Sequence, residues 1–102
     1  MSMTWEQKFA ALQALLDFKG DAALHSREPG DWYVTLPSVS IKEGGLLVSV
    51  GNSGATPQEA VEKTWTKLTS LPNDHYIVAS ACSGRRAVRW NGFMWAPIVE
   101  EK

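Results

Sequence analysis

The sequence predicts a single α+β domain with two amphipathic helices and a largely antiparallel sheet, in the order helix, strands, helix, strands, with both helices on one face. Three observations support this prediction: an apolar stripe at helical spacing near the N-terminus, a proline-marked helix start near the middle, and several short alternating segments between turn signals. With 102 residues the chain is too short for two ordinary domains, so residues 1–102 are expected to form one.

The first helix is predicted to begin after Thr4 and to stop at Gly20. Thr4 and Gln7 form a capping-box pattern, in which each side chain bonds the backbone of the other residue. An apolar stripe follows at helical spacing and is expected to face the core rather than a cofactor. Its members are Trp5, Phe9, Leu12, Leu15 and Leu16.

Three alternating segments follow the first helix. Residues 21–30 are ambiguous, whereas residues 31–36 alternate as a half-buried strand does. Residues 38–42 and 46–50 flank a glycine pair, Gly44-Gly45, which favours a hairpin because glycine tolerates positive φ. The first half of the chain therefore predicts a helix followed by a strand meander.

The second helix has a well-defined start. Thr56 is a suitable N-cap, Pro57 fits the first helical position, and Glu59 fits the third. Glu59 and Lys63 are spaced to form an ion pair on the outer face, and residues 71–74 end the helix. The residues predicted to face the core are Val61, Trp65 and Leu68.

The final strands are predicted to meet at Asn91-Gly92, after a strand over residues 76–81. Asn-Gly is a strong signal for a two-residue hairpin turn, because both turn positions need positive φ. Trp90, Val88 and Phe93 are accordingly assigned to the core face. The predicted pairs are Trp90 with Phe93, Val88 with Trp95 and Arg86 with Pro97 on that face, and Arg89 with Met94 on the other.

Composition narrows the protein class. Apolar residues make up 44% and charged residues 21%, which is far from the composition of disordered chains. A single cysteine, Cys82, excludes an intrachain disulfide and favours a reducing, cytoplasmic setting. The N-terminal segment has no basic leader and its apolar residues are spaced, so neither a signal peptide nor a membrane span is expected.

Charge is unevenly distributed despite a net charge of −1. Residues 1–62 hold 4 Lys or Arg against 8 Asp or Glu, whereas residues 63–98 hold 5 against 1. Such a polarity can orient a charged partner during association, although it does not determine the fold.

No catalytic or metal site is predicted. Cys82 lies at a strand end with no histidine in its segment, and packing is the better interpretation of such a thiol. His25 and His75 have no partners at ligand spacing, and the aspartates are scattered. We therefore expect no enzyme activity, no cofactor and no metal.

The last hairpin contains the main candidate for a partner-binding surface. Tryptophan and arginine are the residue types that tend to supply binding energy at interfaces. The same arginines could instead grip phosphates while a tryptophan stacks on a base, but the pI of about 6.1 is low for a dedicated nucleic-acid binder. A third interpretation is simply a solvated hairpin. The candidate residues are Trp32, Arg85, Arg86, Arg89 and Trp95.

A second candidate is an anion site in the loop before the second helix. Free N–H groups and the helix dipole can hold a phosphate or carboxylate, such as that of a nucleotide signal. The loop lacks the lysine of a P-loop, and its glycines are also explained by a turn from strand to helix. The residues concerned are Gly51, Asn52, Ser53, Gly54 and Thr56.

Two motifs resemble a family. G-x-x-G-A-T-P-x-E-A-V at residues 51–61, followed by Trp65 and by R-R-x-x-R-W-N-G-F-M-W at residues 85–95, resembles a group of small uncharacterised proteins of tailed bacteriophages. The resemblance spans roughly half the chain. The resemblance implies a setting, the cytoplasm of a host cell, and not a mechanism. In that setting we expect a non-enzymatic accessory protein that binds a host protein, as an inhibitor of a defence system or a modulator of host machinery. A homo-oligomer is compatible with this expectation, and a membrane partner is not expected.

Overall fold

The α+β fold class is confirmed. The structure, a computed structural model, describes residues 3–16, 22–81 and 84–99. Its strands pair antiparallel, and the elements follow the predicted order of helix, strands, helix, strands. The elements are α1 (Trp5–Gln13), β1 (Ala23–Glu28), β2 (Asp31–Thr35), β3 (Val39–Glu43), β4 (Leu46–Ser49), β5 (Ser53–Gly54), α2 (Pro57–Thr69), β6 (His75–Ala81), β7 (Gly84–Trp90) and β8 (Trp95–Pro97).

The strands are divided between two sheets, whereas the sequence predicted one. A three-stranded sheet has the order β1-β2-β5, and a five-stranded sheet has the order β4-β3-β6-β7-β8. The chain leaves the first sheet after β2 at a turn where Ser38 has a φ of +64°. It returns after β4, where the amide of Val34 donates to the carbonyl oxygen of Asn52 over 3.1 Å. The ambiguous residues 21–30 contain strand β1.

The start of α1 is as predicted, and its end comes earlier. The amide of Gln7 donates to Thr4 Oγ1 over 3.1 Å, and the amide of Thr4 donates to Gln7 Oε1 over 2.8 Å, which confirms the capping box. The helix ends at Gln13, and a bond from the amide of Leu15 to the carbonyl of Leu12 tightens the chain beyond it. Gly20, the predicted stop, lies outside the described residues.

Helix α2 confirms the sequence prediction closely. Thr56 Oγ1 accepts from the amide of Glu59 over 3.1 Å, and Pro57 occupies the first turn. The ion pair between Lys63 Nζ and Glu59 Oε1 spans 2.9 Å. Val61, Trp65 and Leu68 are buried, as predicted.

One hydrophobic core joins both sheets to both helices. Val34 of β2 and Ile41, Ile77 and Val88 of the five-stranded sheet belong to the same buried cluster as the inner face of α2. Leu12 of α1 is fully buried in it. This burial supplies the main driving force for folding, because apolar side chains on the inner face of α2 and on both sheets leave water together.

The register of the last hairpin differs from the prediction by two residues. Trp90 pairs with Trp95, so the connection is a four-residue loop rather than a two-residue turn at Asn91-Gly92. Asn91 Oδ1 accepts from the amides of Phe93 and Met94 over 2.9 and 3.0 Å, and this side-chain bonding closes the longer loop. The pairs observed are Val88 with Pro97, Arg89 with Ala96 and Trp90 with Trp95.

Candidate protein-binding surface on the last hairpin

Three of the five predicted partner-binding residues lie together. Arg85, Arg86 and Trp95 line an open depression of about 390 Å³ between β7 and β8, which we call the hairpin groove. Successive residues of a strand point to opposite faces, so the two arginines flank the strand. The other lining residues are Ala87, Val88, Pro97 and Ile98.

The hairpin groove lies in a basic segment. Residues 84–99 contain three arginines and no acidic residue. Arg85 and Arg86 are both exposed, and Arg86 Nη2 donates to the carbonyl oxygen of Leu15 over 2.8 Å, which orients its guanidinium beside the end of α1. This side of the groove therefore suits an acidic partner surface.

Arg89 belongs to the fold rather than to the groove. Its Nη1 donates to the carbonyl oxygens of Pro72, over 2.8 Å, and of His75, and its Nη2 donates to that of Leu71 over 3.0 Å. Two of these acceptors lie in the connection between α2 and β6, and the third belongs to the first residue of β6. Arg89 thus holds this connection against β7, since a guanidinium presents several donors in a rigid fork.

Trp95 is also committed largely to the fold. It is half-buried and packs edge-to-face against Trp65, with ring centroids 5.7 Å apart, and against Trp90 at 4.9 Å. Trp90 and Trp65 are 4.8 Å apart in the same manner, so the three indoles form one cluster. Trp95 Nε1 donates to the carbonyl oxygen of Ala11 over 2.7 Å. The groove is lined by an indole that is already fixed in place.

Trp32 is separated from the hairpin groove. It lies on β2 in the three-stranded sheet, opposite Ser26 on one side and Gly54 on the other. It is half-buried and packs against the core. The sequence predicted that Trp32 and Arg89 share one surface with the other three residues. In the structure they lie apart from that surface.

The most exposed apolar residues of the hairpin, Phe93 and Met94, are not among the binding residues predicted from the sequence. Phe93 has 90% of its surface exposed and Met94 56%, at the tip of the loop between β7 and β8. The expectation that Phe93 belongs to the core face is wrong, because the register shift moves it out of the strand. Asn91 at the first loop position could have indicated the longer loop, since an asparagine side chain commonly bonds the backbone two residues ahead.

The loop tip is closed by hydrogen bonds within the loop. Besides the two bonds to Asn91 Oδ1, the amide of Asn91 donates to the carbonyl oxygen of Met94 over 3.1 Å. Gly92 has a φ of +103°, which only glycine adopts readily. The tip therefore presents Phe93 and Met94 to solvent in a defined geometry.

The predicted anion loop is occupied by contacts of its own. Ser53 and Gly54 form β5 and pair with β2. The hydrogen bond from Lys63, the backbone hydrogen bond from Ala55 and the charge of Lys63 all lower the pKa of Glu59, which is thus a carboxylate at the start of α2. A negative charge there opposes a second anion. The anion site stays a prediction, and these contacts argue against it.

Residues 3–16, 22–81 and 84–99 contain no group of three or more His, Cys, Asp or Glu that could hold a metal ion. No helix within them is long and apolar enough to cross a membrane. Cys82, Asp17 and Asp21, which were considered for chemistry, lie outside the described residues.

The chain was compared with known proteins by family and by structure. No family model matches it, and neither a curated protein nor a solved structure does.

Proposed function

We propose that this protein is not an enzyme and acts by stoichiometric binding to another protein, through the loop tip Phe93–Met94 and the hairpin groove beside it. The observation that supports this most directly is the 90% exposure of Phe93 on a loop closed by its own hydrogen bonds. Covering a large exposed aromatic side chain with a partner is favourable, because apolar surface is removed from water. Exposed apolar side chains grouped together are typical of interaction sites.

The geometry of the tip favours binding without a large ordering cost. Because Asn91 already fixes the loop, little backbone entropy is lost when a partner docks. Arg85 and Arg86 lie five and four residues before the end of β7 at Trp90, which places Arg85 roughly 16 Å along the strand from the start of the loop. At that distance they can guide an acidic partner by electrostatic attraction while the tip supplies apolar contact.

The resemblance to tailed-bacteriophage proteins supplies the proposed setting. In that setting the partner is a host protein in the host cytoplasm, and the chain inhibits a defence system or modulates host machinery. A binding protein without an active site fits such a role, because blocking a partner requires contact area and not chemistry. This setting adds no residue to the binding surface.

The binding surface is tested by capture from bacterial lysate followed by titration of the captured protein. We expect Phe93→Ala to weaken the affinity by about tenfold or more, which corresponds to roughly 1.4 kcal/mol. Arg85→Ala with Arg86→Ala should slow association and reduce its salt dependence. Val99→Ala is the matched control, because Val99 is 92% exposed and does not line the hairpin groove. Equal affinity of the wild type and Phe93→Ala would refute the surface.

Nucleic-acid binding is the second candidate, and the run of residues 84–99 with three arginines and no acid favours it. Arg89 donates to backbone carbonyls, so the phosphate contacts of this candidate would come from Arg85 and Arg86, which predicts a salt slope of no more than about 1.8 on duplex DNA. Tryptophan fluorescence during oligonucleotide titration tests this candidate. Salt-sensitive quenching at low salt would support it, and an unchanged spectrum would reject it.

A further inference from the structure

The two sheets have four edges, and three of them have features that prevent pairing with another strand. β1 has an irregular register between Ser26 and Glu28 and carries charged residues there. β5 has only two residues, and β8 has three, with Pro97 among them. Bulges, charges, proline and short length are the usual means by which proteins protect a sheet edge.

The fourth edge, β4, has no bulge, no charged residue and no proline. Its four residues, Leu46–Ser49, are uncharged and contain no proline, and they pair with β3 in a regular register. Leu46 is 70% exposed and Leu47 53%. An exposed edge strand with free backbone groups on its outer side and apolar side chains is a template for pairing.

We propose that β4 pairs antiparallel with β4 of a second copy of this chain, joining the two five-stranded sheets into one continuous sheet. The pairing is isologous, with Leu47 on the two-fold axis opposite Leu47 of the partner copy. Leu46 then lies opposite Val48 of the other copy, and Val48 opposite its Leu46. Every side-chain pair of this register is apolar.

Two features of β4 select this register: the alternation of its side chains and the match between its apolar residues. Val48 pairs with Ile41, which is fully buried, so Val48 and Leu46 lie on the core side of the sheet and Leu47 on the other side. A two-fold axis perpendicular to the sheet keeps each face on its own side, so only residues of the same face can meet. Centring on Leu47 pairs both exposed leucines with apolar residues, whereas centring on Val48 sets Leu47 against Ser49.

A second copy fits this edge because the strand is complementary to itself. Like charges directly opposite each other destabilise a strand pair, and β4 carries no charge to oppose its symmetry mate. Isologous two-fold contacts are the commonest way in which soluble chains assemble. A contact through four-residue strands is smaller than standard interfaces of about 1,200 Å² or more, so we expect a dimer that dissociates on dilution.

Sedimentation velocity from about 1 µM to about 1 mM, a range chosen to bracket weak dimers, tests the proposal. The wild type should shift from monomer to dimer. Leu47→Lys should remain monomeric, because two lysines would meet on the axis, and so should Leu47→Glu. An equimolar mixture of these two variants should form dimer again, since lysine then faces glutamate across the axis. Circular dichroism checks that each variant is folded, as expected for a half-exposed edge position.

Several outcomes would overturn the proposal. A wild type that is monomeric at every concentration rules out the β4–β4 dimer. Pairing of β4 with a strand of another protein is then the alternative. A dimer that persists in Leu47→Lys forms elsewhere on the molecule. Two monomeric variants whose mixture stays monomeric refute the register centred on Leu47. Phe93→Lys is the control, because it adds the same charge at an exposed apolar site and should still dimerise. If Phe93→Lys loses partner binding but still dimerises, the failure of one proposal can be told apart from the failure of the other.

Discussion

The indole nitrogen of Trp95 donates a hydrogen bond of 2.7 Å to the backbone carbonyl oxygen of Ala11, 84 positions earlier in the chain. Ala11 lies in the last turn of α1, where carbonyl groups have no partner within the helix, and this turn has no basic residue. Arg86 Nη2 bonds the carbonyl of Leu15 just beyond. Two side chains of the last hairpin therefore satisfy backbone groups at the end of α1.

Replacing Trp95 by phenylalanine should lower the free energy of unfolding by about 1 kcal/mol or more. The ring contact with Trp65 and Trp90 is partly kept, but the bond to Ala11 is lost and its carbonyl is left with no side-chain donor. Urea denaturation measures the difference. Phe93→Leu should change it by less than about 0.5 kcal/mol because Phe93 is 90% exposed. Equal losses in both variants would contradict the role assigned to Trp95.

Replacing Arg89 by lysine should destabilise the protein by about 2 kcal/mol, because one ammonium group cannot reach all the carbonyls that the guanidinium contacts. The effect should be strongest in the connection between α2 and β6. Hydrogen exchange should show faster exchange of the His75 amide, which donates to the carbonyl of Pro72 over 3.0 Å. Arg27→Lys is the control, since Arg27 is exposed and its ion pair with Asp31 lies at the surface. An unchanged His75 amide would argue against this role.

Alanine at Gly54 should be destabilising by about 2 kcal/mol, as expected for overpacking. A Cβ there would lie 2.8 Å from the backbone nitrogen of Ala60 and from side-chain carbons of Glu59, so the helix start would have to shift. Gly45→Ala is the control, because nothing lies within 4 Å of its added carbon. Thermal denaturation compares the two. Similar melting temperatures would show that the α2 start tolerates displacement.

Charge at Glu59 should make a pH-dependent contribution to stability. Its pKa is below the ordinary value of 4.5 in the folded protein, chiefly because Lys63 donates a hydrogen bond to it. The carboxylate therefore stabilises the fold above pH 4.5, and this contribution is lost as the pH falls through the lowered pKa. Glu59→Gln should be less stable than the wild type at neutral pH, and the difference should vanish in acid. A constant difference across the titration would contradict this mechanism.

The helix starts and the β3–β4 hairpin could be predicted because their determinants are local. Thr56, Pro57 and Glu59 are close in sequence, and so are Thr4 and Gln7. Each N-cap oxygen meets an amide three residues ahead, so the chain needs no distant partner to begin these helices. The Gly44-Gly45 turn likewise sets the pairing of Glu43 with Leu46.

The last hairpin shows where local signals compete. Asn91-Gly92 is compatible with a two-residue turn and with a four-residue loop closed by the asparagine side chain. The second arrangement sets Trp90 opposite Trp95, where both rings also contact Trp65 on α2. The choice thus involves a helix that lies far away in the sequence.

By itself the sequence determined the fold class, the order of elements, both helix starts and the inward face of α2, because capping and periodicity act within a few residues. Only the tertiary structure decided that the strands form two sheets and that Trp95 and Arg89 serve the fold. Arg89 meets carbonyls 14 to 18 positions away, and Trp95 meets one 84 positions away. The pattern of residues along the sequence does not identify such acceptors. Every residue has a backbone carbonyl, and only packing selects which of them a side chain meets.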